Sequence, residues 1–156
     1  GTVRDVLLGS TPVGWMNDLM YLIMIASGVI ISMFFNRAVL KLRRTFFMFD
    51  TVGIAVFTVL GLQKALTLGV HPAIAIMMGM VSAVFGGVIR DIVCNEIPLI
   101  FRQEIYALTC IAGGIVYVSL DSFGIGQVLN VAITSVFIVL FRVLAVKYQW
   151  KLPDFS

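Results

Sequence analysis

The chain has 156 residues, 60% hydrophobic and 12% charged, with a net charge of +3 and a mean hydropathy of +1.06. A soluble domain is roughly 45–50% apolar and about 25% charged, so this composition excludes a water-soluble globule. Most of the basic residues fall in short connections between apolar blocks, which is a topology signal and excludes a nucleic-acid partner.

Five apolar blocks approach the roughly 20 residues that carry a helix across a bilayer core. The first spans about Leu19 to Phe35 and is followed by the basic cluster Arg37, Lys41, Arg43 and Arg44. The second covers about Phe46 to Leu68, with Asp50 near one end and Lys64 near the other. The third begins at Pro72, a residue suited to the first turn of a helix, and reaches the pair Gly86 and Gly87. The fourth runs from about Ile105 to Leu120 and the fifth from about Val128 to Val146. Arg37, Lys41, Arg43, Arg44, Arg90, Arg102, Lys147 and Lys151 share one side, against Arg4 and Lys64 on the other. The rich side is therefore expected to be cytoplasmic. Gly1 is then outside, the tail from Lys151 to Ser156 inside, and Arg142 snorkels inward from the last turns of its helix.

A duplication at a fixed offset of 86 residues organises the chain. Gly1-Thr2-Val3-Arg4-Asp5-Val6 matches Gly87-Val88-Ile89-Arg90-Asp91-Ile92, Pro12 matches Pro98, and Trp15 matches Phe101. The register continues without a gap from Ala26-Ser27-Gly28 to Ala112-Gly113-Gly114. Three crossings separate the two Arg-Asp copies, so they face opposite sides of the membrane and the repeat is inverted. Such repeats build transport sites near the bilayer midplane. The later copy is preceded by two spans and the earlier by none, which predicts that about two helices of a longer parent lie beyond this N-terminus. The expected division is the end of the first repeat at 1–35, a basic cytoplasmic loop at 36–45, the second repeat at 46–120, and a final helix with a cytoplasmic tail at 121–156.

Within the third span Ala75, Gly79, Ala83 and Gly87 recur every four residues, with Ser82 and Gly86 in a second small row beside them. Small residues at this spacing let another backbone, or a column of water, come close. A helix rising about 1.5 Å per residue from Pro72 puts the Gly-Gly pair inside the membrane. The sequence predicts a helix break there, with freed backbone groups that demand a hydrated route. Cation handling is accordingly expected at Gly86 and Gly87, with Gly1 as the surviving part of the symmetric break, and Gly79 and Ser82 on the route wall. Arg4-Asp5 and Arg90-Asp91 flank the breaks, either as ion pairs tying the helix to its neighbour or as functional charges. Lys64 reads first as a snorkelling anchor and second as a gate whose charge would repel cations. His71 reads as a cap or surface residue, and Cys94 and Cys110 as small buried apolar residues. No nucleophile-base arrangement, phosphate-binding glycine loop or zinc spacing is present in the sequence, so neither an enzyme nor a metal site is expected.

The motifs Gly-Thr-Val-Arg-Asp-Val-Leu-Leu-Gly (Gly1 to Gly9) and Gly-Gly-Val-Ile-Arg-Asp (Gly86 to Asp91), with Pro98 downstream, resemble those of bacterial membrane proteins with a duplicated domain named for glycine transport. That group is similar to the trimeric intracellular cation (TRIC) channels, and this chain looks like a prokaryotic member. The resemblance implies an all-α integral membrane fold of two inverted three-helix repeats plus a final helix, here with about five complete transmembrane helices. It implies a homotrimer in the bacterial or archaeal plasma membrane, with one ion route per subunit between glycine-kinked helices. The implied activity is passive conduction of monovalent cations, chiefly K⁺ with Na⁺ as a further permeant ion, without a cofactor. The alternative activity is a carrier for a small amino acid such as glycine. Lipid regulation of the kind seen in animal members has no matching motif in this sequence.

Overall fold

The computed structural model describes residues 1–34, 43–93, 95, 97–102 and 105–148. Among these, α1 is Thr2–Leu7, a 3-10 turn covers Gly14–Asn17, and α2 is Leu19–Phe34. They are followed by α3 (Arg43–Thr67), α4 (Pro72–Val93), α5 (Leu99–Arg102), α6 (Ile105–Ser122) and α7 (Gln127–Lys147). Arg37, Lys41, Cys94 and the tail from Lys151 lie outside the described residues, as does the side chain of Arg90.

Among the described residues four helices are long and apolar enough to cross a bilayer: Phe47–Thr67, Pro72–Ile89, Ile105–Ser122 and Gln127–Lys147. The described part of α2 has 16 residues, or about 24 Å of helix, somewhat less than the hydrocarbon thickness. Pro72 does open α4, and the preceding His71 caps it, its Nδ1 accepting a hydrogen bond from the Ala73 N–H at 3.3 Å. The elements also keep the repeat register: an offset of 86 carries Leu7, the end of α1, onto Val93, the end of α4, and Leu19, the start of α2, onto Ile105, the start of α6.

Glycine decides how closely the helices pack. A Cβ on Gly61 of α3 would lie 2.6 Å from Ser82 Cβ, and one on Gly79 of α4 would lie 2.7 Å from the Thr58 carbonyl. Small residues at both positions are therefore what lets α3 and α4 form the most extensive interface in the fold, as expected when van der Waals contact drives association in lipid. On α6, Gly113 receives the Ile138 side chain of α7, and Gly114 receives Ile76 of α4. The core is completed by Ile54, Val59, Leu62, Tyr106 and Tyr117. By contrast α2 is exposed from Leu19 to Ile31 and makes its main contact with the 3-10 turn.

One expectation is overturned. α4 is helical without interruption from Pro72 through Gly86 and Gly87 to Val93, so no carbonyls or amides are freed at that depth. Two glycines weaken a helix by about 1 kcal/mol each relative to alanine, too little to break a 22-residue helix packed against α3 and α6.

Candidate functional site

The site lies where α1 meets α4, bringing the start of the first repeat against the glycine row of the second. Gly1, Thr2, Val3 and Arg4 line one wall of a cleft of about 270 Å³, and Val81, Ser82, Phe85, Gly86 and Ile89 of α4 line another, with Phe57 of α3 between them. A Cβ on Gly1 would stand 3.1 Å from Ser82 Oγ, whereas one on Gly86 would meet nothing within 4 Å. Gly1 is thus a point of close approach, and Gly86 keeps an open wall. Ser82 is only 8% exposed, and its hydroxyl has no hydrogen-bond partner. A buried hydroxyl without a partner is costly, and Ser82 borders a cleft large enough for water or a small ion.

A charged cluster fastens α1 beside this cleft. Asp5 is 3% exposed. Its Oδ1 accepts hydrogen bonds from Arg4 Nε at 2.8 Å, Arg4 Nη2 at 2.6 Å and Lys64 Nζ at 2.9 Å. Its Oδ2 accepts one from the Gly14 N–H at 3.2 Å. One carboxylate therefore holds its own helix, the loop after it and the far end of α3. Trp15 closes the loop over α1, its indole N–H donating to Thr2 Oγ1 at 3.2 Å. In the second copy Asp91 is likewise buried and engaged in interactions of its own.

The structure brings Gly1, Arg4, Ser82 and Gly86 together on the cleft and joins Asp5 and Lys64 to it through Arg4. Gly79 sits elsewhere, at the tight α3–α4 crossing, so it builds the packing rather than the open wall. Gly87 is half-buried on α4. Sequence reasoning missed the Lys64–Asp5 pair, because residues 59 apart on different helices leave no spacing signal.

Arg142 also departs from expectation. It does not snorkel out: it is 2% exposed, its guanidinium 4.7 Å from the centroid of the Tyr106 ring and 6.0 Å from that of Phe47. The aromatic faces offer a nearer stabilising surface than the end of the helix does. The Tyr106 hydroxyl in turn donates to Asp50 Oδ1 at 3.4 Å. Cys110 is fully buried, its thiol donating to the Tyr106 carbonyl at 3.6 Å, as a small core residue would. Among the described residues no cluster of His, Cys, Asp and Glu could hold a metal.

Apolar helices of spanning length, repeated in register, define an integral membrane protein of the inverted-repeat class. A family profile described as "Glycine transporter" matches residues 1–37 and 47–122. The chain belongs to this family. A UPF0126 membrane protein of Vibrio cholerae is 36% identical over the whole chain, which spans 66% of that protein. The UPF0126 inner membrane protein YadS of Escherichia coli K12 is 35% identical, again over the whole chain and 76% of its own length. The chain thus covers about two thirds to three quarters of these relatives. Among solved structures, a TRIC cation channel superposes with a TM-score of 0.88 at 28% identity, over 100% of this chain and 77% of the other. The TRIC trimeric intracellular cation channel orthologue from Rhodobacter sphaeroides gives 0.87 at 34% identity, over 96% and 77%. The chain has the fold of the TRIC channels, which are not enzymes.

Proposed function

We propose that this chain is part of a passive channel for monovalent cations, chiefly K⁺, assembled as a homotrimer with one ion route per subunit. The observation that carries the reading is the buried, unpartnered Ser82 hydroxyl at the cleft between Gly1 and Gly86. A hydroxyl and small residues suit a cation that keeps part of its hydration shell. The fold's likeness to TRIC cation channels and the family's membrane relatives support it. With the unbroken α4, side chains and the surface of the glycine row line this route, rather than freed carbonyls. Lys64 is the candidate gate: its ammonium sits on Asp5, next to Arg4 at the cleft, where its release would change the local charge. The protein resides in the bacterial plasma membrane with its C-terminus cytoplasmic, uses no cofactor, and conducts K⁺ and Na⁺.

The test is cation flux from liposomes holding the full native protein, alone and with Gly86→Leu and Gly87→Leu together. Gly86 has open space around it, so leucine can fill the cleft while the helix still inserts. Loss of a non-saturating K⁺ flux supports the route, and unchanged flux removes the pore assignment. The second reading, a carrier for a small amino acid, is favoured by the family's description. It predicts saturable glycine exchange without single-channel currents.

A further inference from the structure

α7 lies outside the duplicated unit, yet its contacts run toward the cleft in an ordered way. Three points of α6 and α7 meet in antiparallel order. Arg142 stacks on Tyr106, Ile138 fills the notch at Gly113, and Asn130 Nδ2 donates to the Tyr117 carbonyl at 3.0 Å. Arg142 and Ile138 are one helical turn apart and almost wholly buried. The next residue on α6, Gly114, holds Ile76 of α4, the helix that carries Ser82 and Gly86. α6 is therefore gripped on one side by α7 and on the other by the wall of the cleft, through adjacent glycines with no slack for either isoleucine.

A guanidinium inside a spanning helix is expensive to bury, and groups of this kind mark functional sites in membrane proteins. Packing alone would have been served by a leucine at position 142. The charge fixes the rotation and depth of α7 against the Tyr106 face, because a cation stacked on an aromatic ring in a desolvated setting tolerates little displacement. The Tyr106 hydroxyl passes the constraint to Asp50, on the α3 that meets α4 at Gly61 and Gly79. The two helices packed most extensively on α4, α3 and α6, are thus referenced to Arg142.

We propose that Arg142 is a positioning residue for the ion route, holding α4 at its conducting width through Tyr106, α6 and α3 without touching the permeant ion. The inference rests on the channel reading, and the experiment separates the two. The full native protein, Arg142→Met, Tyr106→Leu and Tyr106→Phe are reconstituted, inserted protein is quantified, and single-channel unit conductance and open probability are recorded. Absence of cation current in the unaltered protein overturns the channel reading and this inference with it. Given current there, Arg142→Met and Tyr106→Leu each lower open probability per inserted channel about tenfold, as expected for loss of a desolvated cation–π contact, and the double variant is no worse than either alone. Tyr106→Phe keeps the ring under the guanidinium and stays within about twofold, since the hydroxyl's hydrogen bond to Asp50 is long and of modest net worth. A purely structural role would reduce the amount of inserted protein but leave each surviving channel unaltered. Wild-type open probability in Arg142→Met overturns the inference. Where that variant does not insert, the same result in Tyr106→Leu overturns it.

Discussion

Gly61 shows how much one residue governs in this fold. A Cβ there would stand 2.6 Å from Ser82 Cβ and 3.0 Å from Gly79 Cα, inside contact distance, and backbone cannot step aside as a flexible side chain can. Gly61→Ala should therefore destabilise the protein by about 1–3 kcal/mol through overpacking, read as a lower thermal midpoint in detergent. Gly86→Ala, with open space around the added methyl group, should raise that midpoint slightly, since alanine favours a helix interior by about 1 kcal/mol over glycine. At the charged cluster, Lys64→Met removes one of the donors on Asp5 Oδ1 while Arg4 and the Gly14 amide remain. We expect the fold to survive and the voltage dependence of cation current to flatten, measured in planar bilayers; an unaltered current–voltage curve would exclude Lys64 as the gate. Of these residues Gly1, Arg4, Ser82 and Gly86 were legible in the sequence, because repetition and spacing mark them. Lys64 was legible only as an isolated charge, since its partner stands on another helix.

Among the elements, α6 is clamped from two sides. Gly113 and Gly114 present consecutive notches to α7 and α4, with would-be Cβ positions 2.3 Å from Ile138 and 2.7 Å from Ile76. Gly113→Ala should be strongly destabilising alone, whereas combining it with Ile138→Ala should recover part of the loss, a non-additivity expected of residues in direct contact. Equal and additive losses in a thermal-denaturation cycle would argue against the notch. The boundaries of α4 and α6 were readable from hydropathy and from Pro72 to within a few residues. The expected break in α4 was not correct: glycine content measures how easily a helix yields, and whether it does yield depends on the neighbours that brace it. Those neighbours, α3 and α6, are distant in sequence.

For the whole molecule the question is assembly. Large apolar side chains are exposed on every spanning helix, including Val56 and Leu60 on α3, Met77 on α4, Ile115 on α6 and Leu140 on α7, and lipid or another subunit must cover them. In keeping with the proposed homotrimer, the native protein in mild detergent should have a mass of three chains by light scattering; a monodisperse monomer would refute it. The orientation drawn from the basic residues is tested by labelling single cysteines from outside the cell. A cysteine replacing Phe123, exposed in the α6–α7 turn, should react, whereas one replacing Tyr148 should not.

What the amino-acid sequence determined by itself was the solvent and the plan: apolar block length requires a bilayer, and the doubled Gly–Arg–Asp register requires two oppositely facing copies. These are one-dimensional properties, set by residues near one another along the chain or at a constant offset. The tertiary structure alone decided that α4 stays intact, that Asp5 holds Lys64, and that Arg142 turns inward onto Tyr106. Each depends on which helix supplies the nearest partner. In a medium without water, a charge settles on whatever neighbour the packing brings within reach.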